Sequence, residues 1–110
     1  MQIRELTVIM DELVRSKGWY GPNSPRPQTP RNLAISLSLE ASEVLEHFQF
    51  REQPASQAEL AGELADVALY LLQLASVSGI DLERAIMDKV ELNRQREWDK
   101  PTANTISASD

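Results

Sequence analysis

The chain has 110 residues, a formal net charge of -6, 42% hydrophobic and 25% charged residues and no cysteine. One globular domain fits that length and composition, disulfides, zinc–thiolate centres and a cysteine nucleophile are excluded, and a reducing cytoplasm is compatible. The acidic balance argues against a nucleic-acid surface, and no segment reads as a signal peptide or as apolar for long enough to span a membrane.

Ile3, Leu6, Met10, Leu13 and Val14 recur at intervals of three and four, which predicts an amphipathic helix from about Ile3 to Lys17, stopped by Gly18. Residues 19–28 hold Pro22, Pro25 and Pro27 and are expected to form a loop, with Trp19 and Tyr20 as two aromatics in need of a role. Thr29 and Pro30 have the chemistry of an N-cap and first helical position, so a second helix is expected to about Phe50. Ser56-Gln57-Ala58-Glu59 fits a capping box for a third helix, ending at Ser78-Gly79. Gly62 inside it suggests close helix packing. Asp81 caps a fourth helix predicted to reach Trp98, which would pack at the bundle end or a subunit interface. The expected architecture is all-α, a four-helix bundle over residues 1–99, followed by a patternless, disordered tail over 100–110. A domain this short buries only about two-thirds of its unfolded surface, so association with further copies is expected.

The chemistry lies in two acidic pairs. Glu40 and Glu43 are three apart on the second helix, Glu63 and Asp66 three apart on the third, so each pair shares a helix face. Glu40 falls on the apolar stripe of Leu33, Leu37, Val44, Leu45 and Phe48 with Glu43 at its edge, and Glu63 and Asp66 border the stripe of Leu60, Leu64, Val67, Leu71 and Leu74. Tyr70 continues the line of Glu63 and Asp66. In an antiparallel hairpin the pairs converge, and carboxylates beside a core must be neutralised by cations or have raised pKa values. Oxygen donors without His or Cys suit Mg2+, with Mn2+ as an alternative. Spacing alone leaves a second reading open, that of solvated acidic faces. A di-iron bundle would need Glu-x-x-His pairs; the single histidine, His47, makes none and reads as a partly exposed helix residue.

The segments from Asn32-Leu33-Ala34 to Glu40-Ala41-Ser42-Glu43-Val44-Leu45-Glu46-His47-Phe48-Gln49, Glu63-Leu64-Ala65-Asp66-Val67-Ala68-Leu69-Tyr70 and Lys89-Val90-Glu91-Leu92-Asn93-Arg94-Gln95-Arg96 resemble the MazG-like all-α nucleoside triphosphate pyrophosphohydrolases, closest to the short dCTP pyrophosphatase type. The resemblance implies cleavage of a nucleoside triphosphate to monophosphate and pyrophosphate, a homo-oligomer (dimer or tetramer), and sites lined by more than one subunit. It implies metal ligation by Glu40, Glu43, Glu63 and Asp66, and phosphate contacts from Lys89, Asn93 and Arg96. Trp19 and Phe50 would contact the base, and Tyr70 the sugar or phosphates. Pro27-Gln28 stands where such proteins usually carry Phe-His, and Phe50 where they carry Trp, and both departures bear on base selection.

Glu43, at the edge of its stripe, is the candidate general base. Other readings are a phosphoribosyl-ATP or dUTP/dUDP hydrolase of the same superfamily, and a non-catalytic helical interaction module.

Overall fold

A computed structural model of the chain describes residues 1–96. Trp98 and the expected tail over 100–110 lie outside the described residues. Four helices are present, α1 (Ile3–Ser16), α2 (Pro30–Glu46), α3 (Gln57–Val77) and α4 (Leu82–Gln95), with no strand among the described residues.

The helices begin where side chains can satisfy their first N–H groups. Thr29 Oγ1 accepts from the Asn32 N–H at 3.1 Å, Ser56 Oγ from the Glu59 N–H at 3.1 Å, and Asp81 Oδ1 from the Arg84 N–H at 3.1 Å. Gly18 and Gly79 both take a φ of +70° just past α1 and α3, the left-handed stop that glycine adopts without a Cβ clash. After Gly79 the Ile80 N–H donates to Ala75 O at 2.9 Å.

Helix α2 is shorter than its sequence pattern suggests. It ends at Glu46, after which His47, Phe48 and Gln49 donate to carbonyls three residues back, at 3.2, 3.0 and 3.3 Å. That tightening ends the α geometry. Phe50 then adopts a φ of +62°, the position glycine usually fills. Helix α4 ends at Gln95, short of Trp98, where Arg96 turns extended.

Helices α2 and α3 form the most extensive contact, α1 packs across α3, and α4 touches α1 and α3 more lightly. The interior comprises Met10, Val14, Leu33, Leu60, Leu72 and Ala75, to which α4 contributes no buried residue. Instead α4 is tied to α1 by Arg4, which contacts Asp81 at 3.0 Å and Glu83 at 2.6 Å.

Further expectations change, and on α2 too Leu45 is 70% exposed and Phe48 is exposed. Leu64 of the α3 stripe is 50% exposed and Leu71 is also exposed, so the shielded side of α3 runs instead through Leu60, Leu72, Gln73 and Ala75. Gly62 approaches no neighbour, since a Cβ built there meets nothing within 4 Å. Helix α3, with 21 residues and a mean hydropathy of 1.4 over its most apolar window, is long and apolar enough by composition to cross a membrane. Only 22% of that window is buried within the chain, and Glu63 and Asp66 fall inside it, where hydrocarbon would strongly disfavour their charge.

Candidate metal and nucleotide site

The hairpin of α2 and α3 brings the four predicted carboxylates into one electrostatic neighbourhood. Glu40 is half-buried, and its Oε2 is shielded from solvent without a hydrogen-bond partner. Desolvation, then hydrogen-bonding proximity to Glu43 and its charge, then the charges of Asp66 and Glu63, hold the Glu40 carboxyl above the usual carboxylate range. Every charge acting on Glu40 is thus another carboxylate, and all four expected ligands take part.

Glu63 has a partner that the pattern did not reveal. Its Oε2 lies 2.7 Å from Nε2 of His47, whose side chain is only 10% exposed. The same oxygen counts as buried without a hydrogen bond, so the approach is close but poorly aligned for N–H donation. His47 is partly exposed as expected, but it caps α2 and its side chain is held against Glu63. It stands seven residues after Glu40, two helical turns along the same face, which is the signal that could have placed it.

Among the described residues no three His, Asp or Glu side chains meet at ligating distance. The donor chemistry nevertheless fits a hard divalent cation: four carboxylates, one with a shielded and unpartnered oxygen. A cation held between them would offset the like-charge part of what raises the Glu40 pKa.

Beside the acids lies a cavity of about 410 Å3 between α1, α3 and the loop that joins α1 to α2. Met10, Val14 and Leu69 supply apolar wall, Trp19 and Tyr70 aromatic wall, and Asp66 belongs to the lining. Asp66 is thus shared between the carboxylate cluster and the cavity. Phe50 does not reach the cavity and is 100% exposed within the chain. Lys89 is exposed on α4, and one turn on Asn93 is half-buried with a shielded Oδ1 that has no partner. Arg96 stands at the end of α4, its N–H donating to Asn93 O at 3.3 Å.

Two polar groups, one of them in the cavity lining, went unread in the sequence. Tyr20 donates to Asp11 Oδ1 at 3.1 Å, and Ser76 donates to Asp11 Oδ2 at 2.7 Å. Gln73 Nε2 donates to Gln28 Oε1 at 2.6 Å, and Gln28 Nε2 donates to Arg26 O at 2.7 Å. Burial, the bond to Asp11 and its charge push the Tyr20 phenol up to about 12, against smaller opposing effects of Arg15 and Gln73. Tyr20 therefore fastens the loop to α1. Gln73 continues the line of Glu63, Asp66 and Tyr70 at helical spacing, which is the clue that marks it.

Known proteins resemble the chain in sequence and in fold. Residues 35–108 match the MazG-like family model. The chain is 41% identical over 76 residues to dCTP pyrophosphatase 1 of Rattus norvegicus, covering 61% of this chain and 45% of that protein. It is 45% identical over 40 residues to a dATP/dGTP diphosphohydrolase of Salmonella phage PMBT28, covering 36% and 14%. The chain thus spans less than half the length of these curated relatives. The crystal structure of a pyrophosphatase from Archaeoglobus fulgidus DSM 4304 superposes with a TM-score of 0.68 at 34% identity, covering 86% of this chain and 91% of that one. With two-thirds of its length inside the matched region, the chain belongs to the MazG-like family.

Proposed function

We propose that the protein hydrolyses a nucleoside triphosphate to the monophosphate and pyrophosphate, using Mg2+ or Mn2+ held by Glu40, Glu43, Glu63 and Asp66. The observation that carries this reading is the sharing of Asp66 between the acidic cluster and the cavity. It sets a place for a polyphosphate beside a place for a base. The relatives named for dCTP and for dATP and dGTP favour deoxynucleoside triphosphates as substrates and a role in clearing or balancing the nucleotide pool.

Trp19 offers an aromatic face to the base, and Tyr70, in the same cavity lining as Asp66, takes the sugar. Lys89, Asn93 and Arg96 hold phosphate oxygens, which gives the shielded Asn93 amide a task. Glu43, the more exposed acid of its pair, accepts a proton from the attacking water. The bond from the α-phosphorus to its bridging oxygen breaks, and pyrophosphate leaves with that oxygen. The cation, when bound, offsets the carboxylate charge and polarises the phosphate oxygens.

The active form is a homo-oligomer in this reading. Leu39, Leu45, Phe50, Leu64 and Met87 are all exposed within one chain, and large exposed apolar side chains are what an interface between copies would use. A second copy would cover it and could bring Phe50 to a neighbouring cavity.

The test is pyrophosphate release from canonical and modified deoxynucleoside and ribonucleoside triphosphates, with Mg2+ and with chelator. Metal-dependent release of pyrophosphate with the matching monophosphate is expected. Release of orthophosphate, or no turnover of any triphosphate, would refute the assignment.

A further inference from the structure

Gln73 is the one buried polar side chain among the described residues, 5% exposed, and it lines the cavity. Amide oxygen and nitrogen can exchange places by a half-turn, so what such a group offers a ligand depends on what holds it. Here one atom settles the matter. Arg26 O is a main-chain carbonyl and can only accept, so Gln28 must turn its Nε2 toward it. Gln28 Oε1 therefore faces Gln73, and Gln73 must answer with its Nε2. The carbonyl oxygen of Gln73 is left on the other branch of the amide.

Nothing in the chain uses that oxygen. The two hydroxyls nearby, those of Tyr20 and Ser76, each donate to a different oxygen of Asp11. No hydrogen bond to Gln73 Oε1 occurs among the described residues, and the atom is not sealed from solvent. Gln73, which lines the cavity, thus keeps a hydrogen-bond acceptor that is fixed in orientation and left for a ligand.

We propose that Gln73 is a specificity-determining residue: its locked carbonyl selects nucleobases that present an exocyclic amino group over those that present a carbonyl oxygen at the same ring position. The inference rests on the proposed nucleotide-binding reading of the cavity. An amino group gives the acceptor its missing N–H. A base carbonyl sets two lone pairs against each other and strips both of water, which is how buried polar groups discriminate strongly. Gln28 is the positioning residue, because it stops the Gln73 amide from turning over.

The experiment measures binding, separately from turnover, by calorimetry of the full chain with two matched pairs of deoxynucleoside monophosphates: dCMP with dUMP, and dAMP with dIMP. Each pair differs by amino against oxo at one ring position. In at least one pair the wild type should bind the amino member about tenfold tighter or more, the effect of a single well-placed hydrogen bond. Gln73→Met keeps the side chain's volume and removes its polar atoms, and should bring the ratio close to one. Gln28→Met touches a less buried position, leaves Gln73 intact and frees its amide to rotate, so the ratio should fall there as well. A wild type without amino preference, or a Gln73→Met variant that keeps it, overturns the proposal; so does failure of all four nucleotides to bind. Should Gln73→Met not fold, an unchanged ratio in Gln28→Met overturns it. Preferential binding without any triphosphate turnover would uphold the role of Gln73 and refute the hydrolase assignment. Turnover with indifferent binding would do the reverse.

Discussion

Nε2 of His47 stands 2.7 Å from Oε2 of Glu63, joining the end of α2 to the acidic line of α3. His47 is nearly buried in doing so, and its removal takes away both that contact and the packing of the ring. His47→Ala should destabilise the protein by about 1–2 kcal/mol, the usual range for losing a shielded polar contact. Urea denaturation of both proteins checks this, and an unchanged midpoint would show that the contact contributes nothing.

Glu40 is surrounded by other carboxylates, and their repulsion opposes its ionised form. Glu40→Gln removes one charge while retaining shape. The metal-free variant should melt higher than the metal-free wild type, whereas the further rise on adding Mg2+, which reports binding to the native state, should shrink or vanish. A variant that melts lower without metal and gains as much from Mg2+ as wild type would contradict both the crowding of charge and the ligand role.

Glu43 is more exposed than Glu40, as suits a group that must meet water. Glu43→Gln should lower kcat by about two orders of magnitude or more, the scale of a lost general base, with helical circular dichroism unchanged. Steady-state kinetics decide it, and wild-type turnover in the variant would reassign the proton transfer.

Tyr20 gives the fold an alkaline limit. Its phenol is raised from 10.0 to about 12. Below about pH 10 the phenol is protonated in both states, and the stabilisation it provides is complete. As pH climbs from there toward 12 the unfolded chain ionises first, so stability drains away through that window. Denaturation at about pH 9 and about pH 11 should show the loss in wild type and a smaller one in Tyr20→Phe. Equal losses in the two proteins would place the alkaline weakness elsewhere.

Phe50 combines a left-handed backbone with a wholly exposed ring. Strain of this kind amounts to about 1 kcal/mol or more in a residue with a Cβ, partly offset in glycine by the greater freedom of its unfolded state. Phe50→Gly should therefore be more stable than Phe50→Ala, which keeps the strain and also lacks the ring. Thermal melts of the two variants compare them directly. If Phe50 reaches a neighbouring cavity, KM for the preferred triphosphate rises in both.

The parts that could be read ahead of the coordinates are those in which cause and effect lie within a few residues. Thr29, Ser56 and Asp81 cap helices because a cap acts on the N–H group three positions away. The acidic pairs share faces because three residues are nearly one turn. The Gln28–Gln73 bond joins positions 45 apart, and only the return of the loop across α3 creates it. Leu64 and Leu71 look like interior residues by periodicity, and their exposure depends on which neighbours arrive, which periodicity does not record. The early end of α2 reflects a switch in bonding at His47 that no proline or glycine announces.

The Arg26 carbonyl has a further consequence for how this protein can drift. Every amino acid carries the same peptide oxygen, so any replacement at position 26 that leaves the main chain in place preserves the acceptor that Gln28 reads. The anchor of the amide pair is thus insulated from point mutation. Evolution can retune the pocket by altering either glutamine or by bending the loop, while the reference atom itself stays beyond the reach of the genetic code.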